Sequence, residues 1–284
     1  MGGTSLPNRS FITLETAIAM VEVNIIRKRQ RRLYVPESWE ELDGRQLVLA
    51  CEYRALQAGD PEKMLSVARR IIGADRRTWR SIPPAQKCLL CEELLSFIIN
   101  DTPAFRDNKI PSFRAGLRRL HGFDDMLSDI TWEEFIYADT FILKGMHREA
   151  IAVLYRPAGI FGRKKKFSDK LLERNSERTE KLGTATVAAL VTNYMAVRRK
   201  ALEEKNRNLF PHTEETYFDG KLVKPEGPQA PNQTTGWADT HHILMGDLAY
   251  EERKFLDSKA TTIVAWINRR IKESRDRERE RRKK

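Results

Sequence analysis

Cys88 and Cys91 are the residues whose spacing most directly suggests chemistry. Two residues separate them, as in the Cys-x-x-Cys motifs that bind zinc or exchange disulfides. Such functions need accessible thiols, and a zinc site needs a second pair of ligands. The intervening residues are leucines in an apolar helical pattern, and the sequence offers no second pair. We therefore expect two buried cysteines on a core helix.

Histidines and carboxylates also lack the spacing of a reactive site. His241 and His242 are adjacent, so on a helix their side chains diverge by about 100° and do not chelate one ion. Adjacent glutamates such as Glu133 and Glu134 lie where a helix is expected to begin, which the helix dipole explains without catalysis. The sequence holds no phosphate-binding glycine loop, dinucleotide fingerprint, zinc-protease motif or nucleophile elbow. We expect no enzymatic activity, no cofactor and no metal.

The chemistry that the sequence does offer is ionic. Basic residues concentrate in a run near the N-terminus, in a glycine-hinged loop and in the C-terminal tail. The candidates for contacts with nucleic acid or with an acidic partner are Arg27, Lys28, Arg29, Arg31, Arg32, Arg163, Lys164, Lys165, Lys166, Arg277, Arg279, Arg281 and Arg282. Such residues release counter-ions from phosphates and bind them in a salt-dependent way. A solvated face is the alternative, because no known nucleic-acid-reading motif accompanies them.

The composition shows that this basic character is local. The chain has 284 residues, of which 40% are hydrophobic and 32% charged, with a formal net charge of +11. The run Arg27–Arg32 and the last residues from Arg269 onward account for all of that net charge. The sequence shows no signal peptide and no apolar stretch of about 18 residues. Three cysteines without framework spacing are typical of a reducing compartment, so we expect a soluble intracellular protein.

Helices are the main elements expected to position these residues. Two capping boxes, Ser38–Glu41 and Thr131–Glu134, predict helix starts, because each pairs a hydroxyl at the N-cap with a glutamate at N3. The first helix is expected to continue to about Ala58 and the second to Lys144. Asp60 before Pro61 predicts another helix start, and the pair Pro83-Pro84 predicts a continuous helix to Ile99.

The remaining pattern is more irregular. Alternation of Val21, Val23 and Ile25 favours a strand, and Leu33–Val35 fits a second. The loop from Asp101 to Asp129 has room for a small hairpin. We predict five segments: 1–35, a leader and short β element with the basic run; 36–156, a helical body; 157–206, a helical extension; 207–238, an irregular linker; and 239–284, a C-terminal helix with a basic tail. The fold class is mainly α: a helical bundle with a minor N-terminal β element and a long charged C-terminal helix.

Several segments together resemble a known group of proteins. Pro36–Leu42, Ile130–Asp139, Ala152–Pro157, Gly236-Trp237 and Leu244–Ala249 are similar to segments of tail-region proteins in phages and prophages of Bacteroidetes-type bacteria. The resemblance implies a non-enzymatic virion structural or morphogenesis protein, such as a tail-assembly chaperone or connector-like protein, that acts through protein–protein contacts.

The resemblance also implies the protein's surroundings. The expected partners are other phage structural or assembly proteins, within an oligomer or larger complex and without a membrane. The expected location is the bacterial host cytoplasm and the virion. The basic segments Arg27–Arg32 and Arg163–Lys166 depart from the family pattern, so the alternative is a nucleic-acid-binding accessory protein that uses them.

Overall fold

The fold is mostly helical, with a small three-stranded antiparallel sheet. The computed structural model describes residues 20–23, 31–56, 59–159, 164–210, 216–218, 221–223, 237–245 and 251–283. The helices of these residues are α1 (Gly44–Leu56), α2 (Pro61–Ile71), α3 (Arg76–Ser81), α4 (Pro84–Leu89), α5 (Phe97–Asn100), α6 (Trp132–Leu143), α7 (His147–Leu154), α8 (Asp169–Thr179), α9 (Thr184–Arg198), α10 (Trp237–Met245), α11 (Glu252–Leu256) and α12 (Ala260–Lys283). The prediction of a mainly α protein is confirmed.

Short strands complete the architecture. They are β1 (Met20–Val23), β2 (Arg31–Tyr34), β3 (Ser112–Ala115), β4 (Arg118–His121), β5 (Arg156–Pro157), β6 (Thr216–Phe218) and β7 (Lys221–Val223). The central strand of the three-stranded sheet is β4, with β3 and β5 antiparallel on either side. β1 pairs with β2, and β6 pairs with β7.

The first predicted capping box does not begin a helix. Residues 38–41 form a turn, in which the Glu41 N–H donates to the Ser38 carbonyl at 3.3 Å. The buried Trp39 holds this turn against the core, because its indole N–H donates to the Phe97 carbonyl at 3.2 Å. The tryptophan of the motif is therefore a tertiary anchor.

The N-cap of α1 lies further along the chain, at Asp43. Its carboxylate accepts the Gln46 N–H at 2.8 Å, and the Gln46 side chain accepts the Asp43 N–H at 2.9 Å. This reciprocal pair is a capping box that the sequence prediction missed. The second predicted box is present at the start of α6, where Thr131 and Glu134 exchange the same two bonds.

The helix expected from Pro83 to Ile99 is interrupted. A π-helical turn, Leu90–Leu94, follows α4, and α5 begins only at Phe97. The widened turn is closed by the Leu95 N–H donating to the Leu90 carbonyl at 3.1 Å. The Cys91 carbonyl accepts the Tyr53 hydroxyl at 3.2 Å. The prediction of one continuous helix was wrong.

Buried apolar side chains join the helices into one cluster that runs from Val35 to Ile267. Within it α1 packs on α2 and α9, while α7 packs on α6 and α8. No helix in the described part of the chain is both long and apolar enough to cross a membrane.

Asp139 of α6 is the centre of a buried polar network. Its carboxylate accepts hydrogen bonds from the Tyr194 hydroxyl at 2.9 Å, the Arg198 guanidinium at 2.9 and 3.0 Å, and the Trp237 indole at 2.9 Å. Burial lowers the pKa of Arg198, but Asp139, Tyr194 and Glu203 together raise that pKa by more, so the guanidinium stays charged. These bonds attach α9 and α10 to α6.

A second buried ion pair joins α6 to the sheet. Glu134 and Arg156 are both buried, and their side chains meet at 2.6 Å. The Arg156 guanidinium also lies over the Phe167 ring, 6.0 Å from its centroid. Since Glu134 also closes the capping box with Thr131, one carboxylate holds both the start of α6 and β5.

Candidate functional site

The hairpin β3–β4 carries a cluster of exposed basic side chains that form no ion pair with the described residues. Its strands are joined by the two residues Gly116 and Leu117, between the paired residues Ala115 and Arg118. Gly116 has a φ of +60°, and Leu117 has a negative φ. A positive φ at the first turn residue alone is typical of a type II′ turn, which needs glycine there. The sequence therefore makes a tight hairpin at this point.

Three arginines surround this turn, and all of them are exposed. Arg114 and Arg119 lie directly opposite each other in the register, and Arg118 follows the turn. In the described part of the chain none of the three forms an ion pair, and Arg119 donates only to the Ser112 hydroxyl at 3.0 Å. Like charges in directly opposite positions destabilise a hairpin. This arrangement is unfavourable for folding alone and favourable for binding an anion.

The base of the hairpin is rigid. Leu120 is fully buried, and the Phe113 ring packs on the Tyr155 ring at 5.1 Å between centroids. β5 extends the pairing along the lower half of β4, and Gly122 lies so close to Tyr155 that a Cβ there would overlap the ring. The arginines are therefore presented by a fixed element of the fold.

A cleft of about 730 Å³ opens at the foot of the hairpin. Its basic residues are Arg45, Arg70 and Lys109, and Ser112 is part of the same wall. Because Ser112 also binds Arg119, the cleft and the hairpin are adjacent. We call Arg114, Arg118 and Arg119 together with the cleft residues Arg45, Arg70 and Lys109 the basic surface.

Buried amides fix the loop that forms one wall of this cleft. Asn193 of α9 accepts the Lys109 N–H at 3.0 Å and donates to Asn108 at 2.6 Å. Asn193 also donates to the Tyr155 hydroxyl, which in turn donates to the Ile110 carbonyl at 3.0 Å. Burial raises the pKa of Tyr155 well above its usual range, so the hydroxyl remains a donor. The position of Lys109 is thus set by the protein interior.

A second cleft, of about 620 Å³, lies beside the C-terminal end of α9. Arg106, Lys200, Lys205 and Arg207 line it together with Glu204, which pairs with Lys200 at 2.9 Å. Met126, also in its wall, has a φ of +55°, a left-handed conformation that non-glycine residues adopt at a cost. This cleft adds a second concentration of positive charge.

The basic loop predicted as a contact site is partly neutralised within the fold. Lys164 is largely buried and pairs with Asp129 at 2.7 Å, and Lys166 pairs with Asp257 at 3.0 Å. Lys165 is exposed. Arg163 lies outside the described residues. The same is true of Arg27, Lys28 and Arg29, while the described backbone of Arg31 and Arg32 belongs to β2.

The predicted tail residues Arg277, Arg279, Arg281 and Arg282 lie on the exposed end of α12. Their interactions are local. Arg279 lies 4.0 Å from Asp276, and Arg282 lies 2.6 Å from Glu278. The tail presents mixed charge, whereas the hairpin presents arginines alone.

The cysteines are not the buried pair that the sequence predicted. Cys88 is exposed and Cys91 is half-buried, whereas Cys51 is buried. Cys88 belongs to α4, which buries none of its side chains, and Cys91 lies in the π-helical turn that follows it. Burial raises the pKa of both Cys51 and Cys91, which disfavours reactive thiolates. Among the described residues no group of three or more potential ligands could hold a metal ion.

The basic surface was missed by sequence reasoning. In the sequence Arg114 stands alone and Arg118 is followed by Arg119, so they do not form a basic run. Acidic residues elsewhere in the chain cancel their charge in the net sum. The available signal was Gly116 between two short alternating segments, which predicts a hairpin with arginines on both strands.

Comparison with known proteins gave no relative: no protein-family model, no curated protein and no solved structure matches the chain.

Proposed function

We propose that this protein is a non-enzymatic nucleic-acid-binding accessory protein that uses the basic surface. The observation that carries the proposal is the exposed Arg114–Arg119 pair beside Arg118, held on a rigid hairpin and without a carboxylate partner among the described residues. Repulsion between these guanidinium groups is relieved when phosphates lie between them. Arginine suits this role because its planar fork binds phosphate through two hydrogen bonds.

The cleft lengthens this surface, so that a polymeric ligand can contact the hairpin and the cleft at the same time. Arg45, Arg70 and Lys109 continue the positive charge from Ser112 into the body of the protein. Arg70 is only loosely paired, with Glu52 at 3.5 Å. A single small anion would satisfy one of these sites, whereas a nucleic-acid backbone contacts the hairpin and the cleft together.

The test is fluorescence anisotropy with a short DNA duplex over a salt series. We expect affinity to fall steeply with salt, because each phosphate contact adds about 0.9 to the slope of log K against log salt. Replacing Arg114, Arg118 and Arg119 together with alanine should lower that slope by about 3 and weaken binding at least tenfold.

The matched control removes three exposed positive charges from another element. Lys170, Arg174 and Lys181 lie exposed on α8 and just after it. Their triple alanine variant has the same net charge as the hairpin variant. Equal losses of affinity in the two variants would show non-specific charge attraction and contradict the proposed surface.

A second candidate is the phage morphogenesis role that the resemblance implies, as a tail-assembly chaperone or connector-like component. The fold proposed with it is a helical bundle with a minor N-terminal β element and a long charged C-terminal helix. The supporting observation is that the α12 side chains from Lys272 to Arg282 are almost all exposed. Co-purification with one phage structural protein at high salt, lost on deleting 272–284, would support this candidate.

A further inference from the structure

Leu117 occupies the apex of the hairpin, and no apolar side chain in the described part of the chain covers it. Its relative exposure is 104%, and the next most exposed large apolar side chain described is Leu143 at 63%. The turn does not require a leucine, because only Gly116 has the left-handed conformation. A polar residue would satisfy the turn equally well and avoid the exposed apolar surface. The fold therefore gives no reason for leucine at this position.

The surroundings of Leu117 indicate what could bury it. The side chain lies between exposed arginines on both strands, so any surface that meets the apex must also accept concentrated positive charge. A DNA duplex offers both features within a few ångströms: phosphates along each edge of the minor groove and apolar faces between stacked base pairs. Proteins that bend DNA through the minor groove insert a single apolar side chain between base pairs while basic residues hold the flanking backbones.

The rigid base of the hairpin supports the apex against the force that such an insertion requires. Unstacking a base step costs a few kcal/mol. An inserting side chain therefore needs a rigid backbone behind it. Leu120, which pairs with Phe113 next to the arginine pair, is fully buried, and Phe113 packs on Tyr155, whose hydroxyl donates to the Ile110 carbonyl. The hairpin that carries the apex is thus fixed to the core at its base.

Resting on the proposed function, we infer that Leu117 is a wedge that enters a base step from the minor groove and kinks duplex DNA. Arg114, Arg118 and Arg119 bind the phosphates on either side. The substrate class is double-stranded DNA, and flexible steps such as TA are preferred because they unstack most easily.

The experiment measures bending and binding on the same duplex. Energy transfer between dyes at the two ends reports bending, and anisotropy reports binding, with the full-length protein. We expect the wild type to shorten the end-to-end distance, with a kink in the range of about 20–90°. Leu117→Ala should lose the bending signal, keep the salt slope of binding, and weaken affinity about tenfold or less. Leu117→Met, which retains a long apolar side chain, should keep the bending.

The outcomes separate the two proposals. Salt-dependent binding without bending, or bending that Leu117→Ala retains, overturns the wedge and leaves the proposed function standing. No salt-dependent binding to DNA overturns the proposed function, and the wedge with it. Tighter binding to single-stranded DNA than to the duplex, or Leu117-dependent binding to vesicles of anionic lipid in place of DNA, also overturns the wedge.

Discussion

At the scale of single residues, the two Trp-Glu-Glu motifs show how one local pattern leads to two structures. Thr131 and Glu134 form the capping box that their types predict. At the other copy, Trp39 binds the Phe97 carbonyl and the chain makes a turn, so the cap moves to Asp43. Residue types determine which caps are available, and a distant tertiary contact determines which one is used.

This difference predicts unequal effects of two similar substitutions. Thr131→Ala removes an N-cap bond and should lower the free energy of unfolding by about 1 kcal/mol. Ser38→Ala removes a hydroxyl that does not cap a helix. It should change the free energy of unfolding by less than about 0.5 kcal/mol. Urea unfolding followed by circular dichroism measures both. Equal losses in the two variants would contradict the assigned cap positions.

Asp139→Asn tests the buried network around α6. The substitution leaves the Arg198 charge buried without its carboxylate, which should cost about 3–5 kcal/mol. Asp107→Asn is the control, because Asp107 is exposed and forms no ion pair with the described residues; its effect should stay below about 0.5 kcal/mol. A small loss at Asp139 in the same unfolding assay would show that water reaches the network.

At the scale of elements, local signals located most helices and missed their interruptions. Asp60 and Pro61 begin α2 as predicted, and a hairpin lies within the loop from Asp101 to Asp129. The π-helical turn after α4 could not be predicted, since its widened geometry accompanies the bond from Tyr53 on another helix. Such contacts join residues that are far apart in the sequence, so the hydrophobic periodicity of the sequence does not reveal them.

Gly44→Ala tests the close contact between α1 and the cleft wall. Alanine normally stabilises a helix over glycine by about 1 kcal/mol. Here the added Cβ would overlap the Lys109 carbonyl oxygen, so we expect the opposite sign, a loss of about 1–3 kcal/mol. Gly59→Ala is the control, because its Cβ would enter open space. A higher melting temperature for Gly44→Ala would refute this packing.

At the scale of the whole molecule, the sum of charges conceals the basic surface. The net charge of +11 is assigned by sequence to the N-terminal run and the C-terminal tail. The fold instead brings Arg45, Arg70 and Lys109 together from separate segments and places them beside the hairpin. A sequence reveals charge along the chain, whereas a binding surface depends on charge in space.

Removal of residues 272–284 separates stability from binding at this scale. Almost all side chains from Lys272 to Arg282 are exposed, so the melting temperature should change by no more than about 2 °C. Salt-dependent DNA binding should retain the contribution of the hairpin, although the overall affinity falls with the lost charge. Scanning calorimetry and anisotropy measure the two effects, and a large fall in melting temperature would indicate that the helix end supports the core.

The Glu134–Arg156 pair also has an evolutionary consequence. Removing one partner leaves a buried charge unpaired and lowers the free energy of unfolding by about 3–5 kcal/mol. Replacing both partners with apolar residues often leaves the stability unchanged. Two nitrogens of Arg156 have no hydrogen-bond partner among the residues that the structure describes, which increases the dependence of Arg156 on the carboxylate. In related sequences the residues at positions 134 and 156 should therefore change together. This covariation should be detectable even where the surface residues have diverged.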